Sequence, residues 1–224
     1  RNLQYFIMNF IEQMFSLQRE LNNKTNGDIW LNGVTKDGRE ICWHRCIYME
    51  ALEAIDSFNW KHWKDINNEP DWENLVVELI DLWHMIMSEL IRLKDESYAN
   101  KYLNTETSGD FNTEALVENL EKIISISVNN TKTADVSAIR EVTDLLFNAL
   151  SHVGVDTEDL YKRYVVKNQL NAFRQNHGYK NGSYVKFWGE VEDNVVAFNI
   201  MDKYPNISPT DLYQKLEIEY AHLN

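Results

Sequence analysis

A chain of 224 residues, 44% hydrophobic and 12% aromatic, is long and apolar enough for one large packed domain, which excludes a disordered protein. Its formal charge of −13 argues against a polyanionic nucleic-acid partner, though not against a single nucleotide met by a few gathered cations. With 8 glycines and 3 prolines there are few turn signals, which favours long helices over many short strands.

In chain order, residues 3–22 carry a helical stripe of Leu3, Phe6, Ile7, Phe10, Met14, Leu17 and Leu21. The apolar run within it is followed by Glu12 and Gln13, without a small-residue cleavage site, so it reads as an amphipathic helix and not a signal peptide. Asn26-Gly27-Asp28 interrupts, 33–40 reads as loop, and a second helix runs from about 41 to 58. Cys42 and Cys46, four apart on it, lack the spacing of a redox or zinc pair, so reduced thiols and a cytoplasmic setting are expected. A short segment ends at Asn67-Asn68-Glu69-Pro70, and a long helix from Asp71 reaches about residue 97. After a polar, turn-like stretch at 98–112, helical patterns cover 113–129, 134–152 and 156–177, the last opened by Asp156 with Asp159 three residues on. Residues 178–194 are glycine-punctuated and irregular, and Ser208-Pro209, with Asp211 at the third helical position, opens a closing helix. No segment shows strand alternation and no run reaches the length of a membrane span. The expectation is an all-α protein forming a single domain, 1–224.

Two acid pairs say most about function. Glu50-Ala51-Leu52-Glu53 and Glu78-Leu79-Ile80-Asp81 each place two carboxylates one helical turn apart, inside otherwise apolar helix. At an effective dielectric near 20, two carboxylates about 4 Å apart repel by roughly 4 kcal/mol. Where such helices face each other a divalent cation is the plainest offset, and oxygen-only ligands point to magnesium or manganese. The competing reading is a solvated acidic face, and periodicity alone leaves the two even. An acid cluster around such an ion suits phosphoryl chemistry, with one carboxylate able to act as general base.

Other residues suit the rest of a nucleotide. Arg174, Lys180, Tyr184 and Lys186 gather a fork-shaped donor, two lysines and a phenol in a glycine-containing stretch that could hold phosphate, or could be an ordinary solvated loop. Gln18 and Asn22, four apart, offer paired amides suited to a nucleobase edge, and Trp60 and Trp63, among Lys61, His62 and Lys64, could wall a base or sugar. Each is also explained by packing. His84 shares the face of Asp81, either beside a metal ligand or as a hydrogen-bonded core histidine.

Taken in order, Leu17-Gln18-Arg19-Glu20-Leu21-Asn22, the two acid pairs, Asn59-Trp60-Lys61-His62-Trp63-Lys64, Trp83-His84, Phe173-Arg174-Gln175, Gly178-Tyr179-Lys180-Asn181-Gly182-Ser183-Tyr184, Lys186, Trp188 and Glu192-Asp193-Asn194 resemble the dimeric all-α deoxyuridine triphosphatases of trypanosomatids, some bacteria and phages. Among the bacterial members the chain looks close to those of Campylobacter. The acid pairs alone are shared with the wider MazG-like pyrophosphohydrolases, and the tryptophan-lysine and late glycine-tyrosine-lysine segments narrow the resemblance. It departs at Met85, where trypanosomatid members carry phenylalanine.

The resemblance implies a helical bundle, a homodimer, and a late segment that moves when ligand binds. It implies magnesium-dependent hydrolysis of dUTP, with dUDP a second substrate, to dUMP. Glu50, Glu53, Glu78 and Asp81 would bind metal and Glu53 would activate water. Gln18 and Asn22 would read the uracil edge, with Trp60 and His84 at the nucleoside. Lys61, Lys64, Arg174, Lys180, Tyr184, Lys186 and Asn194 would hold phosphate. The alternatives are a MazG-like enzyme acting on another nucleotide such as dCTP, and a non-catalytic helical interaction domain. A di-iron carboxylate bundle wants two Glu-x-x-His motifs and finds one, Glu219 to His222.

Overall fold

A computed structural model describes residues 9–64 and 69–222. Leu3, Phe6, Ile7, Asn67 and Asn68 lie outside the described residues. The chain forms two compact units, Arg1–Glu158 and Asp159–Asn224.

In the first unit, α1 (Phe10–Asn26) opens with a capping box: Glu12 N donates to Asn9 Oδ1 at 2.8 Å, and Asn9 N to the Glu12 carboxylate at 3.4 Å. A 3-10 turn, Asp28–Asn32, follows. Next come α2 (Trp43–Asp56) and α3 (Trp72–Arg92), the latter capped by Asp71, whose side chain accepts from Asn74 N. A second 3-10 turn (Glu96–Tyr102), α4 (Thr113–Asn129) and α5 (Val136–His152) complete the unit. Helices α2, α3, α5 and α4 close a ring in which each packs against the next, and α1 lies on α3. The core they enclose holds Ile47, Leu79, Trp83, Ile86, Leu120, Ile123 and Leu146, all fully buried. Burial of each such side chain contributes about 1.5–3 kcal/mol.

Two expectations change here. The long helix ends at Arg92 and not near 97, because Lys94 takes a left-handed φ of 59° that no α-helix can propagate. The buried face of α1 is Ile11, Met14, Phe15, Gln18 and Asn22; among the described residues of the expected stripe only Met14 is buried, Leu17 and Leu21 are partly exposed, and Phe10 is exposed. Two amides hold the inward positions that Leu17 and Leu21 were expected to fill.

The second unit begins in the first turn of α6 (Thr157–Asn176). Phe173, fully buried, stacks on His177 at 3.8 Å between ring centres and meets Trp188, Tyr213 and Tyr220 within 5.6 Å. The irregular stretch contains a 3-10 turn (Tyr179–Asn181) and a short antiparallel hairpin, β1 (Phe187–Trp188) with β2 (Val191–Glu192). Its two-residue loop starts at Gly189 with φ 70°, the positive value that such loops require. Helix α7 (Asp193–Lys203), absent from the sequence reading, follows directly. Helix α8 (Pro209–Ala221) begins as expected: Ser208 Oγ accepts from Asp211 N at 3.1 Å and proline stands in the first turn. The fold is all-α apart from this one small sheet among the described residues.

Candidate active site

The site in the first unit rests on how α2 meets α3. At one end the pair is fastened by backbone and side chain together: Asp71 N donates to Ser57 O at 2.9 Å, and Asn74 Nδ2 to Ser57 Oγ at 2.9 Å. Ala51 and Ala54 are fully buried on α2, which packs against both α3 and α4. The result is that Glu50, Glu78 and Asp81, each half-buried, bring carboxylate oxygens within 4.8 Å of one another. Glu53 is exposed and lies outside this trio. At 100° per residue it falls about 120° from the inward line of Ile47, whereas Glu50 falls about 60° from it.

This donor set fits a hard divalent cation. Three carboxylates this close would otherwise repel, and all-oxygen ligation is what magnesium, manganese or calcium takes. Cys46, one turn before Glu50 on α2, is no competitor. Burial pushes its thiol up to about 11, with the neighbouring Cys42 and Glu50 adding to the rise, so it stays protonated and offers no thiolate.

Deeper along α3 a polar seam links it to α1. His84 Nδ1 lies 2.8 Å from Gln18 Oε1, and Gln18 Nε2 donates to Ser88 Oγ at 3.1 Å and to Asn22 Oδ1 at 3.4 Å. Asn22 Nδ2 donates to Ser88 Oγ at 2.9 Å, and Ser88 Oγ donates to His84 O at 2.8 Å. All four side chains are buried, and a polar group buried without such partners costs about 1–3 kcal/mol. Of the four residues expected at the base and nucleoside, Gln18, Asn22 and His84 therefore stand together. Ser88, their common partner, was missed; it falls one turn after His84, the only hint the sequence held.

Trp60 and Trp63 are 50% and 63% exposed and meet edge to face at 5.7 Å. Trp60 Nε1 and Lys61 Nζ both donate to Asp56 Oδ1, at 3.2 and 2.6 Å, so Lys61 is held at the end of α2, while Lys64 is exposed. At the far end of α2, His44 is buried 3.8 Å from Glu89, which Arg92 binds through two N–H groups at 2.6 and 2.7 Å.

In the second unit the expected phosphate ligands are differently engaged. Arg174 donates through two nitrogens to Asp193, both at 2.8 Å, and the Tyr184 hydroxyl donates to the same carboxylate at 2.7 Å. Asn194 Oδ1 accepts from Lys167 Nζ at 3.3 Å, Lys186 pairs with Glu192 at 2.5 Å, and Lys180 is exposed. Asp193 is fully buried at the first position of α7. Burial alone would raise its pKa, but the Arg174 and Tyr184 hydrogen bonds prevail and hold it below the ordinary carboxylate value.

No helix among the described residues is long and apolar enough to cross a membrane. No curated protein matches the chain. A family model described as dUTPase matches residues 10–179, about three quarters of the chain, and so takes in the acid trio, the amide seam and the whole of α6. The chain belongs to the all-α dUTPase family and is a dUTP diphosphatase, a hydrolase of a nucleotide substrate.

Proposed function

We propose that the hydrolysis of dUTP by this chain depends on magnesium, with manganese as a substitute, held by Glu50, Glu78 and Asp81, and yields dUMP and pyrophosphate. The observation that carries this is the approach of those three carboxylates to within 4.8 Å of one another. Such an ion, when bound, neutralises phosphate oxygens and acidifies water. Glu53, also among the acids first expected to bind metal, stands outside the trio, which leaves its carboxylate to orient and deprotonate the attacking water. Gln18 and Asn22 read the base, Trp60 and His84 flank the nucleoside, and Lys61, Lys64, Arg174, Lys180, Tyr184, Lys186 and Asn194 are the groups for the phosphate chain. For Arg174 and Tyr184 that role requires a share of the hydrogen bonds they give Asp193. dUDP, which carries the same base and a shorter phosphate chain, is a second substrate.

The enzyme acts as one domain, a reading supported by a family match that runs across the boundary between the two units. It works as a homodimer. Met49 and Leu52, nearly half exposed on the same helix as Glu50, are apolar side chains that a partner would cover. Two free cysteines suit a cytoplasmic setting.

The test is pyrophosphate release from dUTP, dCTP, dTTP and UTP, each with magnesium and with chelator. Release from dUTP that chelator abolishes is expected; release that survives chelation would sink the metal assignment. Comparable release from dCTP would point to the broader MazG-like reading of the base site. Glu53→Gln is expected to remove turnover with the fold intact, and near-normal turnover would sink its role as base. Sedimentation or light scattering at working concentration reads the dimer directly.

A further inference from the structure

We propose that Ser88 is the specificity-positioning residue of the base site: its hydroxyl fixes which way the Gln18 and Asn22 amides face, and thereby selects a 4-oxo over a 4-amino pyrimidine. The inference rests on the reading above that these amides meet the base.

The polarity of the seam follows from a single acceptor. The carbonyl of His84 has no proton to give, so the Ser88 hydroxyl, 2.8 Å away, points its one hydrogen there. Ser88 Oγ is then an acceptor only, and both amide groups that touch it must present nitrogen. With Gln18 Nε2 turned to Ser88, Gln18 Oε1 faces His84 Nδ1, which must carry the ring proton. Gln18 Nε2 spends its second hydrogen on Asn22 Oδ1. Asn22 is thus locked with nitrogen on one side and oxygen on the other, and an amide so fixed offers an ordered donor and acceptor.

The order matters because the two pyrimidines present mirror-image edges. Uracil places a carbonyl acceptor beside a ring N–H donor, whereas cytosine places an amino donor beside a bare ring nitrogen. For a base held by its sugar in one pose, an amide that matches the first edge opposes the second, and turning the amide over reverses the choice. Nothing in the covalent structure of asparagine prevents that turn. The Ser88 oxygen does, because the turned amides would set two carbonyl oxygens against an oxygen with no hydrogen to share. Thymine carries the same imide edge as uracil, so this device leaves dTTP to be refused by other means.

Ser88→Ala removes the acceptor and keeps the volume nearly unchanged, and Ser88→Thr keeps the hydroxyl and its bond to the carbonyl one turn back. The measurement is kcat/KM for dUTP, dCTP and dTTP in the full-length wild type and both variants, with thermal melts as the check on folding. Ser88→Ala is expected to lower the dUTP/dCTP ratio about tenfold or more while the dUTP/dTTP ratio holds within about twofold, with Ser88→Thr like wild type. A dUTP/dCTP ratio that Ser88→Ala leaves unchanged, or an equal fall in both ratios from a loosened pocket, would overturn the proposal. Asn22→Ala separates the two layers. If it collapses dUTP/dCTP discrimination and Ser88→Ala does not, only the role of Ser88 fails. If Asn22→Ala also leaves discrimination and KM for dUTP intact, the base-reading assignment fails and the proposal falls with it.

Discussion

Asp193 and the Glu50–Glu78–Asp81 trio are both carboxylates drawn in from solvent, and the chain treats them oppositely. Asp193, fully buried, is met from three directions by Arg174, the Tyr184 hydroxyl and the backbone N–H of Asn194 at 2.8 Å. The trio gathers three carboxylates at the α2–α3 contact, with oxygens within 4.8 Å of one another, close enough for like charges to repel. One arrangement converts a buried charge into a fastening within its unit. The other brings like groups close enough for a cation to bridge them. The two therefore predict opposite signs when a charge is removed.

The largest expected effect is on the trio. Glu78→Gln should lower dUTP turnover by roughly a hundredfold or more, since several kcal/mol of stabilisation in a metal-assisted step pass through the ligand set. In chelator its melting temperature should hold or rise, because one repulsion is gone; a clear fall would break the comparison. Next comes the second unit. Arg174→Met leaves Asp193 buried and uncompensated and should cost about 3–5 kcal/mol in urea unfolding, with Tyr184→Phe costing about 1–2 kcal/mol. A neutral Arg174→Met would show that the pair is dispensable to the fold.

Acid should separate the units by pH. His44 in the first unit is pushed down by burial, partly opposed by Glu89, so the folded chain resists the proton that the unfolded chain takes up near 6.5. Its contribution is fully present above that value and is lost as pH falls below it towards the folded pKa. Asp193 is held below its ordinary 3.8, so its contribution persists to lower pH and is lost only as pH falls through the folded value. Urea midpoints should accordingly decline first as pH falls below about 6.5. His44→Gln should flatten that early limb, and an unchanged limb would rule His44 out. The smallest effect concerns reactivity. With its thiol pushed up to about 11, Cys46 should alkylate far more slowly at pH 8 than an ordinary cysteine, read by peptide mass after timed iodoacetamide.

Much of this was legible in the sequence where local chemistry decides. Helix α4 and the start of α8 stand where expected because Asn112 and Ser208 cap them with their own side chains. The acid spacing was legible too, but only as far as a helix face. Which acids converge depends on the rotation of α2 against α3, and that turned Glu53 outward. Helix α7 was missed because Glu192 makes no side-chain cap bond and the helix has no clean apolar stripe. The face of α1 was misassigned for a related reason. Apolar periodicity favours Leu17 and Leu21 for the interior, whereas the polar seam pays for burying Gln18 and Asn22 through partners 66 to 70 residues away. Partners at that distance leave no periodic trace.

The tryptophans carry a consequence for watching this enzyme at work. Trp30 and Trp83 are sealed in the interior, while Trp60 and Trp63 stand half in water, side by side, at the segment assigned to the nucleoside. Indole emission shifts and is quenched according to its surroundings, so the exposed pair is an intrinsic optical label set against a steady internal standard. Iodide should quench the pair and spare the interior, and nucleotide should shield it, which makes occupancy readable in unlabelled protein by stopped flow.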